Sequence, residues 1–285
     1  MKNTDLHIHS NYSDGLFSPS EIISFCKDLN LKAISITDHD CIDGLNDARN
    51  YAANKNIEFI DGVEIQCAEC EILGYFFNKE DNELNKFLEL HQVQKQKYIL
   101  KKIDVLNDMN IDISYEDVLV EQVPGHQLMA THIALAMIKK GYGSSLQEVF
   151  KKYLNKIKIK LDQPPTRAKK IIKVLSNAGG VSVLPHPSFL KGYQKEDIDF
   201  FVKHLVDFGI TGVETTFPLP LELDVPEEHL FLEKIKQLAK QYELVECGGS
   251  DFHGKAILPI NILGKYNVDY SVVSSLQKKC RINGF

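Results

Sequence analysis

His7 and His9, within Thr4-Asp5-Leu6-His7-Ile8-His9-Ser10, place two imidazoles two residues apart. The segment Asp5–Ile8 reads as a short first strand, and positions i and i+2 of a strand face the same side. The two rings then converge on one point, as a metal ion requires. Alone, such a pair is weak, because most are accidents. Here it is joined by Asp14, Thr37-Asp38-His39-Asp40, Gly62-Val63-Glu64, Leu184-Pro185-His186-Pro187 and Ser250-Asp251-Phe252-His253-Gly254, most of them closing a short apolar run. His7, His9, Asp14, His39, Glu64, His186, Asp251 and His253 are too many ligands for one ion of coordination four to six. They suggest two or three divalent ions sharing a bridging carboxylate, and mixed imidazole–carboxylate sets suit Mn, Fe or Zn. Such clusters make hydroxide at neutral pH and clamp attacking and leaving oxygens. The competing reading is a scatter of capping and core residues, but buried, unpaired carboxylates and histidines would be costly without cations.

Alternating strands and helices must position these groups. Ser18-Pro19-Ser20-Glu21 is a capping box with proline at the first helical position, opening a helix to about Leu29. Strands follow at Ala33–Thr37, Glu58–Val63, Glu71–Phe76, Val181–Leu184, Gly212–Thr215 and Leu244–Gly248. Helices are expected at Gly44–Asn54, Thr166–Ala178, Ile198–Phe208, Glu227–Tyr242 and Ser271–Lys279. This order argues for an α/β fold with a parallel sheet and crossover helices. About seven strands favour a barrel over an open sheet, which has no G-x-G-x-x-G to support it. The polar candidates fall at strand C-terminal ends, where (β/α) barrels place their chemistry.

Residues 79–163 break the rhythm. Asn82–Met109, Ser114–Leu119, Gln127–Lys140 and Ser145–Leu154 all read as helical, with no convincing strand between them. The division is therefore a barrel of residues 1–78 and 164–285 with a helical insertion over 79–163. That insertion is either a cap over the site or a purely stabilising element.

The 285 residues carry a net charge of −6, with 44% hydrophobic and 25% charged residues. A polyanion-binding protein usually shows a basic surplus. The lysine-rich stretches Lys95–Lys102, Lys151–Lys160 and Lys169–Lys173 read as solvated helix faces, so no stable nucleic-acid partner is expected. Arginine occurs only at Arg49, Arg167 and Arg281. Arg167, at a helix start in Pro164-Pro165-Thr166-Arg167, suits an anion clamp; an ordinary exposed arginine is the alternative. Cys26, Cys41, Cys67, Cys70, Cys247 and Cys280 show no disulfide framework, and Cys67-x-x-Cys70 reads as structural thiols. With no signal peptide and no apolar run long enough for a membrane span, a cytoplasmic protein without membrane contact is expected.

As a set and in order from residue 4 to about 254, these motifs, with Ile72-Leu73-Gly74-Tyr75, resemble those of the PHP family, the polymerase and histidinol phosphatase metallo-phosphoesterases. The helical insertion resembles the branch of nucleoside 3′,5′-bisphosphate phosphatases and 5′-to-3′ RNA-trimming enzymes. The resemblance implies a distorted (β/α)7 TIM-like barrel with an all-helical insertion, and two or three Mn, Fe or Zn ions. His7, His9, Glu64 and Asp251 would hold the first ion. Glu64 would bridge to a second, bound also by His186, and Asp14, His39 and His253 would hold a third. Two positions depart from the family pattern. Glu71 stands where a ligating histidine is common, so it is either a harder ligand or a surface or salt-bridged residue. Ala130-Thr131-His132 replaces an Arg-Pro-His-like motif, leaving His132 to face a phosphate or simply the helix surface.

The implied reaction is hydrolysis of a nucleotide phosphate monoester, such as a 3′,5′-bisphosphate, by a metal-bridging hydroxide. Trimming of short RNA from the 5′ end and hydrolysis of histidinol phosphate are the enzymatic alternatives. A metal-stabilised binding module is the non-enzymatic one. The expected partner is a small phosphorylated substrate, a nucleotide or short oligonucleotide.

Overall fold

A computed structural model describes residues 2–159, 166–190, 192–219, 226–254 and 262–282. The chain alternates β1 (Lys2–Asp5), α1 (Pro19–Asp28), β2 (Ala33–Ile36), α2 (Leu45–Lys55), β3 (Glu58–Gln66) and β4 (Glu71–Tyr75). Four helices follow, α3 (Asn82–Asp108), α4 (Tyr115–Leu119), α5 (Ala130–Lys139) and α6 (Leu146–Lys152). The alternation resumes with α7 (Ala168–Asn177), β5 (Val181–Leu184), α8 (Tyr193–Glu196), α9 (Ile198–Asp207), β6 (Gly212–Thr216), α10 (Pro226–Gln241), β7 (Val245–Gly248), β8 (Val268–Asp269) and α11 (Ser271–Ile282). Both halves of the expected box form at α1: Ser18 Oγ accepts from Glu21 N–H, and Glu21 Oε2 accepts from Ser18 N–H at 2.9 Å.

The strands lie in the order β7-β6-β5-β4-β3-β2-β1-β8. Pairing is parallel except at β4, which runs antiparallel to β3 and β5, and at β8, which runs antiparallel to β1. The reason at β4 is loop length. Only four residues, 67–70, join it to β3, enough for a hairpin but far too few for a parallel crossover.

The first strand lies earlier than expected, at Lys2–Asp5 rather than Asp5–Ile8. The following residues continue the pairing on both sides. Thr37 N–H donates to Ile8 O at 2.7 Å, His9 N–H to Phe252 O at 2.8 Å, and Leu6 N–H to Gly248 O at 3.4 Å. These bonds bring the two ends of the sheet together, giving a nearly closed, distorted barrel.

Leu6, Ala33, Ile60, Leu73, Tyr75 and Val183 form one apolar cluster, and Tyr75 donates its hydroxyl to Leu6 O at 2.8 Å. The outer helices pack on a larger one that includes Ile34, Ile36, Val63 and Leu175. A third cluster, including Ile103, Leu106, Ile133 and Val149, lies wholly within residues 99–157. Between 79 and 159 the described residues contain helices and no strand. The expected boundary at 163/164 lies outside the described residues, as do Lys160, Pro164 and Pro165. No described helix is long and apolar enough to cross a membrane.

Candidate metal centre

The sheet ends deliver the candidate ligands to one place. His7 and His9 follow β1, His39 follows β2, Glu64 lies within β3, and Glu71 opens β4. His186 follows β5, and Asp251 and His253 follow β7. Two glycines make room: a side chain on Gly249 would collide with the His7 backbone at 2.4 Å, and one on Gly15 with His9 O at 2.4 Å. Asp40, His186 and Asp251 adopt left-handed backbone angles, φ 52°, 27° and 49°. Such conformations cost energy at non-glycine residues and gather where geometry matters.

Three overlapping groups each bring ligand atoms within 4.8 Å of one another: His7, His9, Glu64 and Asp251; His9, Asp14, His39 and His253; and His39, Glu64 and Glu71. His186 joins them through Nε2, 3.0 Å from Glu64 Oε1 and 3.5 Å from Glu71 Oε2. All nine residues singled out as ligands therefore meet at one end of the barrel. Glu64 is the hub, with Oε2 lying 3.4, 3.3 and 3.2 Å from His7 Nε2, His9 Nε2 and His39 Nδ1. Proximity does not make these contacts hydrogen bonds. Glu64 Oε2, His39 Nδ1, His9 Nδ1 and Asp14 Oδ1 are buried and have no hydrogen-bond partner. Buried polar atoms are rarely orphaned. A borderline, oxygen- and nitrogen-seeking divalent cation fits this donor set.

Proton affinities register the same crowding. Burial disfavours charge on His7, yet Glu214, Glu64 and Asp251 outweigh it and hold its pKa well above the usual imidazole range. Burial is likewise overcome at His253, raised to about 10 by Asp14 and Asp251. At His39 burial wins and the pKa falls to about 4. Burial, then Glu64, pushes the Glu71 carboxyl up. The cavity demands positive charge, which divalent cations supply without added protons.

The residues that brace this centre were missed from sequence. Glu214, fully buried on β6, accepts from His7 Nδ1 at 3.1 Å and from His186 N–H at 2.8 Å. With Nδ1 committed to Glu214, His7 turns the Nε2 lone pair toward the cluster. A carboxylate behind a ligating imidazole fixes its tautomer and raises its basicity. Asp38 accepts from Ser10 N–H, Ser10 Oγ and Ser13 Oγ at 2.8, 2.6 and 2.7 Å, pinning the loop that carries Asp14. Asp5 accepts from Ser250 N–H at 2.9 Å and holds the loop that carries Asp251. The available signal was a lone acid inside a strand, as in Gly212-Val213-Glu214-Thr215.

His132 lies in the first turn of α5, buried, with Nδ1 accepting from Met129 N–H at 2.8 Å. Burial lowers its pKa. Its neighbour Thr131 donates to Asp14 Oδ2 at 2.9 Å, which brings α5 to the edge of the centre. Arg167 caps α7 with its side chain 67% exposed, and its guanidinium pairs with Glu69. Glu69 also accepts from Ala168 N–H at 3.1 Å, so the anion at this helix start is the chain's own carboxylate. A cavity of ≈340 Å³ adjoins the centre, lined by Glu71 and His186 and also by Gln66, Glu69, Phe189 and Gln194. His91, on α3, pairs through Nε2 with Asp40 Oδ1 at 3.3 Å.

Comparison with known proteins agrees with this architecture. The chain is 26% identical to a 5′-3′ exoribonuclease of Haemophilus influenzae, over 88% of its own length and 90% of the relative's. It is 24% identical to a phosphoribosyl 1,2-cyclic phosphate 1,2-diphosphodiesterase of Eggerthella lenta, covering 88% and 94%. A 3′,5′-nucleoside bisphosphate phosphatase of Chromobacterium violaceum is also 24% identical, covering 89% and 88%. Among solved structures, a candidate metal-dependent phosphoesterase from Bifidobacterium adolescentis shares the fold with TM-score 0.84 at 22% identity, covering 98% of this chain and 96% of that one. The model of the PHP domain matches residues 5–203. With most of its length matched, and with imidazoles and carboxylates converging at the barrel mouth, this chain belongs to the PHP domain family of metal-dependent phosphoesterases.

Proposed function

We propose that the chain hydrolyses a phosphate monoester of a nucleotide, of the 3′,5′-bisphosphate kind. The convergence of eight histidine and acidic side chains around Glu64, beside a cavity of ≈340 Å³, carries the reading. That volume lies near the lower end of small-molecule sites and suits a nucleoside better than a polymer. The names of the Chromobacterium violaceum and Haemophilus influenzae relatives support nucleotide and RNA substrates respectively.

His7, His9, Glu64 and Asp251 would hold one ion, Glu64, Glu71 and His186 a second, and Asp14, His39 and His253 a third. Bound there, Mn, Fe or Zn would lower the pKa of a water and neutralise phosphoryl charge. Glu214 keeps His7 in the tautomer that offers Nε2, and its bond to His186 N–H orients a second imidazole from the same carboxylate. His132 would serve the substrate as a neutral hydrogen-bond partner rather than as an acid. Arg167 would clamp a second phosphate by exchanging Glu69 for it. The segment from α3 to α6 would cap the mouth, a role supported by Thr131 on Asp14 and by His126 Nδ1, 2.6 Å from Asn11 O. All six cysteines are free thiols, which suits the reducing cytoplasm.

Phosphate release by the Mn-loaded chain from adenosine 3′,5′-bisphosphate, a 5′-phosphorylated RNA oligomer and histidinol phosphate tests the reading. Turnover of the bisphosphate, lost in His9→Ala, is expected. Faster turnover of RNA would move the assignment to 5′-to-3′ trimming, and silence on all three with ions bound would overturn it.

A further inference from the structure

Asp40 follows His39 directly and ties two candidate ligands together through the backbone. Its N–H donates to Glu64 O at 2.7 Å, and Glu64 N–H donates to Asp38 O at 3.3 Å. The residue is fully buried and sits at φ 52°, a left-handed conformation that its surroundings hold in place. Those surroundings come largely from α3, far along the chain. Lys95 Nζ lies 2.6 Å from Asp40 Oδ2, and His91 Nε2 lies 3.3 Å from Oδ1. Gln92 Nε2 donates to Asp40 O at 2.9 Å, and Gln66 N–H donates to Oδ1 at 3.0 Å. His91 and Lys95 are one helical turn apart, so a single face of α3 grips both the side chain and the carbonyl of one residue.

We propose that His91, Gln92 and Lys95 of α3 form a positioning clamp, which sets His39 for metal binding by fixing Asp40. The clamp rests on the metal reading of the site. A buried ion pair contributes little net stability, because desolvation offsets its attraction, and its best-attested use is to specify geometry. Here the geometry specified is that of the residue next to His39, with Lys95 only 11% exposed and the Asp40 carboxylate fully enclosed. His7 needs no such help, since Glu214 braces it within the barrel. His39 is braced from the helical segment instead. The segment thereby governs ion occupancy as well as covering the mouth.

The test is Mn binding by the full-length chain, read as ions per chain and as the dissociation constant of the most weakly held ion. Lys95→Met, Lys95→Arg, Asp40→Asn and the double variant Asp40→Asn/Lys95→Met are compared with the wild type. Melting temperature in chelator is recorded for each. Lys95→Met and Asp40→Asn should each weaken that ion by roughly 10-fold or more. The double variant should be no worse than either single one, as expected of residues acting through one contact. Lys95→Arg should recover most of the affinity. Wild-type Mn binding in Lys95→Met, whatever its melting temperature, would overturn the clamp, as would additive losses in the double variant. A wild-type chain that binds no Mn would instead overturn the metal reading itself, and the clamp with it.

Discussion

The barrel mouth and the helical segment over residues 82–157 are built on opposite principles. The mouth concentrates buried imidazoles and carboxylates, orphaned polar atoms and left-handed backbone at Asp40, His186 and Asp251. The segment has an ordinary apolar cluster and well-capped helices. Ser114 and Asp117 form a complete capping box, and Asp81 and Ser145 each accept an N–H at a helix start. Apart from the α3 face that grips Asp40, the segment is explicable by local propensity and apolar burial, whereas the mouth is not. Its crowded and orphaned donor atoms fit divalent cations, in keeping with a metal-dependent phosphoesterase.

Breaking the mouth should affect chemistry first. Glu64→Gln keeps the shape of the hub but removes its charge, and should lower phosphoester hydrolysis by roughly 10³-fold or more. Steady-state rates at saturating Mn would show this, and a variant retaining a tenth of the activity would refute Glu64 as hub. Breaking the segment's apolar cluster should affect folding first. Leu106→Ala empties part of its buried cluster and should cost about 2–5 kcal/mol in urea unfolding. The number of ions bound should not change, and a change there would erase the distinction between the regions.

Smaller effects sharpen the comparison. Glu214→Gln leaves every proposed ligand in place, yet should weaken metal binding by roughly 10–100-fold. Ser114→Ala should cost about 1 kcal/mol of local stability, seen as faster amide exchange in α4 with unaltered turnover. Smallest of all, Lys140 and Ser114 hold the Asp117 carboxyl at about 2, below the ordinary 3.8. A depressed carboxyl stabilises the fold above its unfolded value and loses that contribution as pH falls through the folded one. Asp117→Asn should therefore flatten the stability change between about pH 4 and 2, read as urea midpoints beside the wild type.

Most of this architecture was legible because it rests on patterns the chain repeats. Alternating apolar runs and amphipathic stretches identified the barrel strands and helices, and the Ser18–Glu21 box located α1. The two-residue β8 was invisible, since so short a strand has no periodicity and forms only against β1. The antiparallel setting of β4 follows from its short connection to β3, a length argument available in principle from the sequence. At the site, motifs picked out the side chains that converge because chemistry restricts residue types there. Glu214, Asp5 and the clamp on Asp40 escaped because their roles come from tertiary contacts: a glutamate in a strand, or a lysine on a charged helix, looks the same whether exposed or buried. Arg167 shows the converse. Its position at a helix start suggested an anion, and the structure supplies one in Glu69.

The most direct test of the central claim, that cations hold the barrel mouth together, is the metal content of the desalted chain after chelator treatment and reloading with Mn, beside Glu64→Gln. Two or three ions per chain in the wild type, with fewer in the variant, is the predicted result. A wild-type chain that retains none would contradict it.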